Sequence, residues 1–543
     1  MNFGHVAHDY TRCRQLDRVP PPATLPFLDL CEHRAKMTSA ATATEPVPGR
    51  AAGQENWLRT AFRGLFTFPA AILAILVAKA FWTCRDRIAD TDLWWHLRNA
   101  QYMLAHRSFP TTDTYSFTAA GSPWIDHSWL SEVIYYSAYR TLGLRGVFVI
   151  FTLAIATLTI VTFFLCMKRT RDPFAAGVMT ILGGLLAMVG FTPRAQNFGW
   201  LCFVAVFAIL LRFRSAREAP LWLIPPLFCL WINCHPGWPM GIVLFAIMLL
   251  SGLIKNDIGQ LAADPWRVSD LKKLAVTAGL SVAAIFINPF GWRLVLYPFD
   301  VLLRQKLNVA LGDEWASVNF NDSRGVFVII MLAVVFATAL LPRKQWRIDD
   351  VILTAFVLYC GLSHIRFLVL TGIVLPPILV NQIGNMSSYN PAHERRIVNA
   401  IIITVVAAML IAGFPTQQVL DTQVSALFPV GAVNYLNSHP QKGNIFNQYE
   451  WGGFLEWNLP QVPTFIDSRT DIFEYKGVLR DYFAISTFND SQKLLDKYKI
   501  TFIVYPTHTP LAYFLANNAR WEQIYQDNQA IIYRRLDSVA GHS

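Results

Sequence analysis

The sequence is short of charge. Of its 543 residues, 15% are Asp, Glu, Lys or Arg, against about 25% in an ordinary soluble chain. The deficit is filled by apolar residues, 54% of the chain, gathered in long uninterrupted runs, and the mean hydropathy is +0.35. A purely soluble protein is excluded. Disorder, collagen and coiled coil are excluded too, because aromatics make up 13% and no repeat of fixed period occurs. The eight cysteines include no CxxC pair, which removes the usual cysteine zinc site. Cys166, Cys202, Cys229, Cys234 and Cys360 lie in or beside apolar runs and build no disulfide framework. The last stretch, from 415, has no cysteine at all. GxSxG, HExxH, GxGxxG, the phosphate-binding loop and the kinase signatures are all missing, as are haem and iron–sulfur patterns.

What is present is a series of apolar segments of spanning length, about 20 residues each. They fall near 65–83, 146–167, 174–192, 196–212, 220–235, 237–254, 273–290, 325–341, 350–364, 366–383 and 397–414, about eleven in all. Residues 1–63 are rich in Pro, Ala, Thr and Arg, lack a secretory h-region, and read as a disordered cytoplasmic tail in which Met37 looks like an ordinary start. The net charge of +10 needs no nucleic acid, because basic residues mark the inner loops of a membrane protein. Counting spans alternately, Lys168 to Arg171, Arg212 to Arg217, Lys255 with Lys272 and Lys273, Arg343 to Arg347, and Arg395 with Arg396 all fall inside, together with Arg50, Arg59 and Arg63. The outer face then receives 84–145, 291–323 and everything after 414. The expected fold is mainly α: a polytopic helical domain over 64–414 with a large first outer loop at 84–145, then an extracytoplasmic α/β domain over 415–543. Strands are expected at 444–447, 464–467, 500–505 and 530–533.

The densest polar signal opens the first outer loop, Asp90-Thr91-Asp92-Leu93-Trp94-Trp95-His96-Leu97. Leu93, Leu97, Ala100 and Leu104 recur at helical spacing, which predicts an amphipathic helix on the membrane surface. Asp92 and His96 share one face of it. Two carboxylates two residues apart can bind a hard divalent cation such as Mg or Mn, or take a proton from a hydroxyl. They can equally cap the helix. Further on stand Asp113, then Trp124, His127 and Glu132 in Pro123-Trp124-Ile125-Asp126-His127-Ser128-Trp129-Leu130-Ser131-Glu132. Aromatics beside acids and histidine suit a sugar, and equally an interfacial aromatic belt.

Other polar groups sit at outer span ends: Arg194, Asn233 and His235, Asn288, and His364 with Arg366. Arg194 and Arg366 can hold a phosphate through paired N–H donors or snorkel to the interface. In the last domain, Tyr449 precedes the pair Gly452-Gly453, which suits a phosphate-binding turn. Asp467 and Arg469 stand where a sheet strand would end, as site groups or as a turn ion pair.

Taken together, Asp90-Thr-Asp-Leu-Trp-Trp-His-Leu, Phe109-Pro-Thr-Thr-Asp113, the 123–132 motif, Asn233-Cys-His, Asn288-Pro-Phe-Gly, Glu314-Trp315, Asn447-Gln-Tyr-Glu-Trp-Gly-Gly-Phe and Phe465-Ile-Asp-Ser-Arg-Thr-Asp471 resemble a largely uncharacterised bacterial family of polytopic membrane proteins. The match runs from about residue 65 to the end. Its architecture looks like that of the GT-C glycosyltransferases, which use polyprenyl-phosphate sugars and carry a catalytic acid in the first outer loop. The resemblance implies an inverting transfer at the outer face of the inner membrane, to a lipid, glycan or protein acceptor. Asp92, with Asp90, would be base or metal ligand. His96, Asp113, Trp124, His127, Glu132, Arg194, His235, Glu314 and Arg366 would bind substrate, and Tyr449, Asp467 and Arg469 would contribute from the outer domain. One departure is that the family's Arg-Pro-Gln reads Arg194-Ala195-Gln196 here. A lipid or glycan transporter, or a non-catalytic envelope scaffold, are the alternatives.

Overall fold

The computed structural model describes residues 64–341 and 344–536; the expected tail, with Met37 and its arginines, and Arg343 lie outside the described residues. The chain is mainly helical, with a small sheet near its C-terminus. Helix starts follow from local chemistry. Thr67 accepts from Ala70 N ahead of Phe68–Arg85, Asp172 accepts from Phe174 N at 2.9 Å ahead of Pro173–Ala187, and Asp322 accepts from Gly325 N at 2.9 Å ahead of Ser323–Leu340.

Every expected apolar segment is helical, but fewer helices than expected can cross a membrane by length and composition. Among the described residues six do so: Phe68–Arg85, Leu144–Arg169, Pro173–Gly190, Gln196–Ala216, Ser323–Leu340 and Ile365–Ile383. Arg396–Ala412 and Gln417–Leu427 make a seventh if the pair, bent by 64°, is taken as one span. The expected segments 220–235 and 237–254 are the shorter helices Leu221–Cys234 and Pro239–Ser251. Prolines cut them: Pro220 before the first, Pro236 and Pro239 between the two. At 1.5 Å per residue neither reaches the roughly 30 Å of a bilayer core. Val268–Ala284 and Ile348–Ser363, at 17 and 16 residues, also stop short.

Leu368–Ile383 is the central element, buried along nearly its whole length. It approaches Pro173–Ala187 through two glycines: a Cβ on Gly183 would lie 2.3 Å from the Gly372 carbonyl, and one on Gly372 equally close to that of Gly183. Backbones can meet this closely only where neither residue has a side chain. At the end of the bundle expected to be inner, Arg214 bonds Asp349 at 3.2 Å, Arg347 bonds Asp349 at 3.0 Å and Asp264 at 3.1 Å, and Arg217 pairs with Asp264. Trp266 takes the guanidiniums of Arg214 and Arg217 at 4.3 and 4.4 Å. Strands β1 (Leu261–Ala262) and β2 (Trp346–Arg347) pair in parallel beside them.

The C-terminal part carries a four-stranded sheet of β3 (Asn444–Asn447), β4 (Ile500–Pro506), β5 (Trp521–Gln526) and β6 (Ala530–Arg535), in the order β3-β4-β6-β5. β3 and β4 are parallel; β4–β6 and β6–β5 are antiparallel. Two expectations change. β5 is an extra strand at the edge, where Glu522, Gln523 and Gln526 are exposed. The expected strand at 464–467 is not in the sheet. Thr464 exchanges backbone bonds with the first outer loop instead, Phe117 N to Thr464 O at 3.0 Å and Thr464 N to Tyr115 O at 3.1 Å. The Asn447 amide then binds Phe465 N and Ile466 O, each at 2.8 Å, so this stretch has no groups left for a ladder.

Candidate active site

The helix Leu93–His106 is not a surface helix. Leu93, Trp94, Trp95, His96, Leu97, Asn99, Ala100 and Met103 are all buried, between Trp129–Leu142 and the helix Gly452–Asn458 of the outer domain. In the Gly452-Gly453 pair, Gly453 lets that helix approach and Gly452 lets the 466–467 backbone approach, and the pair opens a helix in place of a phosphate-binding turn. A Cβ on Gly452 would lie 2.2 Å from the Ile466 carbonyl, and one on Gly453 would lie 3.1 Å from Trp95 N.

Asp90 and Asp92 enter this helix without capping it through Asp92, whose side chain makes no cap bond. Asp90 Oδ1 accepts from Asp92 N at 2.9 Å and folds the turn back. Both Asp90 oxygens then take Arg194 Nε, at 2.9 and 2.7 Å, and Arg194 Nη1 lies 3.2 Å from Asp92. The same Nη1 lies 3.7 Å from Glu314, whose other oxygen is 3.2 Å from Arg366 Nη1. Arg366 lies over the Trp315 ring at 4.4 Å, and His364 Nδ1 bonds the Trp315 carbonyl at 2.7 Å. The Asp90 side chain is only 3% exposed, while those of Asp92, Arg194 and Glu314 are 21%, 27% and 39% exposed. Five predicted residues, from four separate stretches of chain, thus line one partly open site. Burial pushes the Asp92 carboxyl up, but Arg194 and then His96 outweigh it, and it is held below its ordinary value. Burial leaves Asp90 above its ordinary value despite Arg194. Asp92 is therefore the ionised, accessible carboxylate.

Behind Asp92, His96 Nδ1 bonds Glu132 Oε1 at 2.7 Å. Asn99 donates to Asp126 Oδ2 at 2.7 Å and to Glu132 Oε2 at 2.6 Å. Burial lowers His96 to about 4 and raises Glu132 to about 8, and burial with Glu132 nearby raises Asp126 well above a normal carboxylate. Sequence reasoning did not single out Asn99 or Asp126; the helical spacing of Asn99 from His96 was the available signal. His127 stacks on Tyr297 at 4.6 Å, and Tyr297 donates to Asp471 at 3.2 Å. His235 Nδ1 accepts from Gly237 N at 3.0 Å, a turn contact. Asn233 and Asn288 also spend their amides on neighbouring backbone. Tyr449, half-buried, lies near enough to Asp92 for its charge to act on the phenol, and donates to the Ser468 carbonyl at 3.3 Å.

Asp113, Trp124, Asp467 and Arg469 come together elsewhere, as a buried joint between the first outer loop and the outer domain. Arg469 Nη2 lies 2.8 Å from Asp113 and 2.5 Å from Asp467. Its guanidinium sits 4.9 Å from the rings of both Tyr115 and Trp124. Asp113 also accepts from Ser116 N and Oγ, at 3.1 and 2.7 Å. Glu456 joins at 3.7 Å, and burial raises its carboxyl well above the ordinary value. Asp113, Asp467 and Arg469 are spent on one another and are not free to bind substrate. Trp124 is 4% exposed, so its face is not open for sugar stacking, although its edge lines a neighbouring cavity. That cavity, of 850 Å³, lies between the helix Trp292–Arg304 and the outer domain, with Trp292, Leu296, Tyr297, Asp471 and Lys476 among its walls.

The donor set does not favour a resident cation. No group of three His, Cys, Asp or Glu side chains able to hold one occurs among the described residues, and Arg194 already takes both oxygens of Asp90.

No protein-family model matches the chain, and no curated protein matches its sequence. Solved structures similar in fold include two from Archaeoglobus fulgidus and one from Cupriavidus metallidurans. The apo oligosaccharyltransferase of A. fulgidus shares 11% identity at a TM-score of 0.49, covering 81% of this chain and 69% of that one. ArnT from C. metallidurans, bound to undecaprenyl phosphate, shares 14% identity at a TM-score of 0.49, covering 91% and 100%. The A. fulgidus oligosaccharyltransferase AglB, in complex with an inhibitory peptide and a dolichol-phosphate, shares 10% identity at a TM-score of 0.48, covering 80% and 69%. These neighbours are GT-C glycosyltransferases.

Proposed function

We propose that this chain is an integral membrane glycosyltransferase of bacterial inner membranes. It would move a sugar from a polyprenyl-phosphate donor to an envelope acceptor on the outer face, with inversion at the anomeric carbon. Its N-terminus is then cytoplasmic and its C-terminal domain extracytoplasmic. The observation that carries the reading is Asp92, its carboxyl held below its ordinary value beside Arg194, with Arg366 joined to the same partly open site through Glu314. Asp92 orients the acceptor hydroxyl and takes its proton as the oxygen attacks. The bond from the anomeric carbon to the phosphate oxygen breaks, and Arg194 and Arg366 stabilise the charge left on the departing polyprenyl phosphate. The lipid tail lies between spans. No step runs through a metal. The alternatives are a lipid or glycan transporter and an assembly scaffold. Internal repeats and charges at the bilayer midplane mark many transporters; here Asp90, Asp92, Arg194 and Arg366 stand at or just beyond the ends of spanning helices.

The test uses protein purified in detergent, labelled undecaprenyl-phosphate sugars and an envelope lipid and glycan extract. Label leaves the donor with wild type and stays with a folded Asp92→Asn variant. Equal loss of label from the donor in both contradicts the role given to Asp92.

A further inference from the structure

The weakest link in the site is the contact of Glu314. Arg194 grips Asp90 at 2.7–2.9 Å, whereas Glu314 reaches Arg194 at 3.7 Å and Arg366 at 3.2 Å. Its side chain is also the most exposed of the acids, at 39%. One oxygen faces each guanidinium, so this carboxylate spans two arginines from different elements just as two oxygens of a phosphate would. The charges match as well. A polyprenyl-phosphate sugar is a phosphodiester with a single negative charge, so exchanging it for the Glu314 carboxylate leaves the balance unchanged.

The backbone around Glu314 is tied down independently of that carboxylate. Ile365 N donates to the Ala316 carbonyl at 2.9 Å, Val318 N to the Leu362 carbonyl at 3.1 Å, and His364 Nδ1 bonds the Trp315 carbonyl at 2.7 Å. Asp313–Trp315 has no buried residue. The Glu314 side chain can therefore swing out by rotamer change alone, with Arg366 still held on Trp315.

Building on the reading of Arg194 and Arg366 as phosphate ligands, we infer that Glu314 is an internal stand-in for the donor phosphate. It holds the two arginines apart and aligned in the empty site, and the phosphate of the incoming polyprenyl lipid displaces it. Glu314 competes with that lipid, so it sets the affinity for donor and helps the product leave.

Binding of undecaprenyl phosphate to the full chain in detergent tests this, comparing wild type with Glu314→Gln, Glu314→Asp and Arg366→Gln, each checked for an unchanged melting temperature. Removing an internal competitor that fills the site about 90% of the time tightens apparent binding about tenfold. Glu314→Gln is expected to bind about tenfold tighter, Glu314→Asp near wild type, and Arg366→Gln at least tenfold weaker. Inorganic phosphate, run alongside, is expected to compete only at far higher concentration. Weaker Arg366→Gln binding with no gain for Glu314→Gln overturns the stand-in role but keeps the phosphate site. Unchanged affinity in Arg366→Gln overturns the phosphate site itself. Inorganic phosphate competing as well as the lipid overturns the lipid as the ligand.

Discussion

Arg194 bonds both oxygens of Asp90 through Nε, at 2.9 and 2.7 Å, and reaches Asp92 with Nη1 at 3.2 Å. One guanidinium thus serves two carboxylates with different tasks. Asp90 is enclosed and fixes the arginine; the Asp92 side chain is 21% exposed. A lysine has no planar fork and cannot make both contacts. Arg194→Lys is expected to lower transfer by about 10²–10³-fold, the loss usual for one donor to a developing anion. Arg194→Ala is expected to be less stable by about 3–5 kcal/mol as well, because Asp90 is left buried without its partner. Transfer rates and thermal melts in detergent check the two.

The Arg469 joint gives a prediction of the opposite kind. Its members touch one another and no open surface, so breaking it acts through stability. Arg469→Met leaves Asp113 and Asp467 unpaired in a fully buried place and is expected to cost about 3–5 kcal/mol. Limited proteolysis between the first outer loop and the outer domain is expected to speed up. Asp92→Asn, by contrast, leaves proteolysis unchanged.

Gly452→Ala is expected to destabilise more than Gly453→Ala. At 452 the new methyl meets backbone, the Ile466 carbonyl at 2.2 Å; at 453 its nearest contact is Trp95 N at 3.1 Å. Overpacking of the first kind costs about 1–3 kcal/mol. Melting temperatures of the two variants decide the order.

Glu132 predicts the pH dependence. Burial raises its carboxyl from an ordinary 4.5 to about 8. Between these values the folded protein keeps a proton that the unfolded chain loses. The stabilisation is full below pH 4.5 and declines as pH rises through about 8. Glu132→Gln removes this contribution, so its melting temperature is expected to fall less than that of wild type between pH 5 and 8. Parallel curves for the two proteins contradict the assignment.

Much of this was legible in the residues. Long apolar runs gave the helices, because burying such runs leaves little choice. Span lengths were harder, since Pro220, Pro236 and Pro239 break runs that hydropathy reads as continuous. The outer domain's alternation of strands and helices was visible, but Thr464 to Asp467 was misread as a strand because its partners lie some 350 residues away, in the first loop. The same distance hid the fate of Asp113 and Arg469. Each looks like a site group alone, and only the fold brings them within 2.8 Å. Asp90, Asp92 and Arg194 stood out as candidates because ionisable groups at span ends are costly. That Leu93–His106 is buried could not be read from its spacing, since the same amphipathic pattern suits a bilayer surface or a second protein layer.

The proposed reaction is transfer of sugar from a lipid phosphate at the Asp92–Arg194 site. The most direct measurement counts both products of one reaction: undecaprenyl phosphate formed from a labelled undecaprenyl-phosphate sugar, and label gained by the acceptor extract. The two are expected to appear one for one with wild type, and both to be lost in Asp92→Asn and Arg194→Lys. Labelled donor crossing a proteoliposome membrane unchanged, with no undecaprenyl phosphate formed, would contradict it and make the protein a transporter.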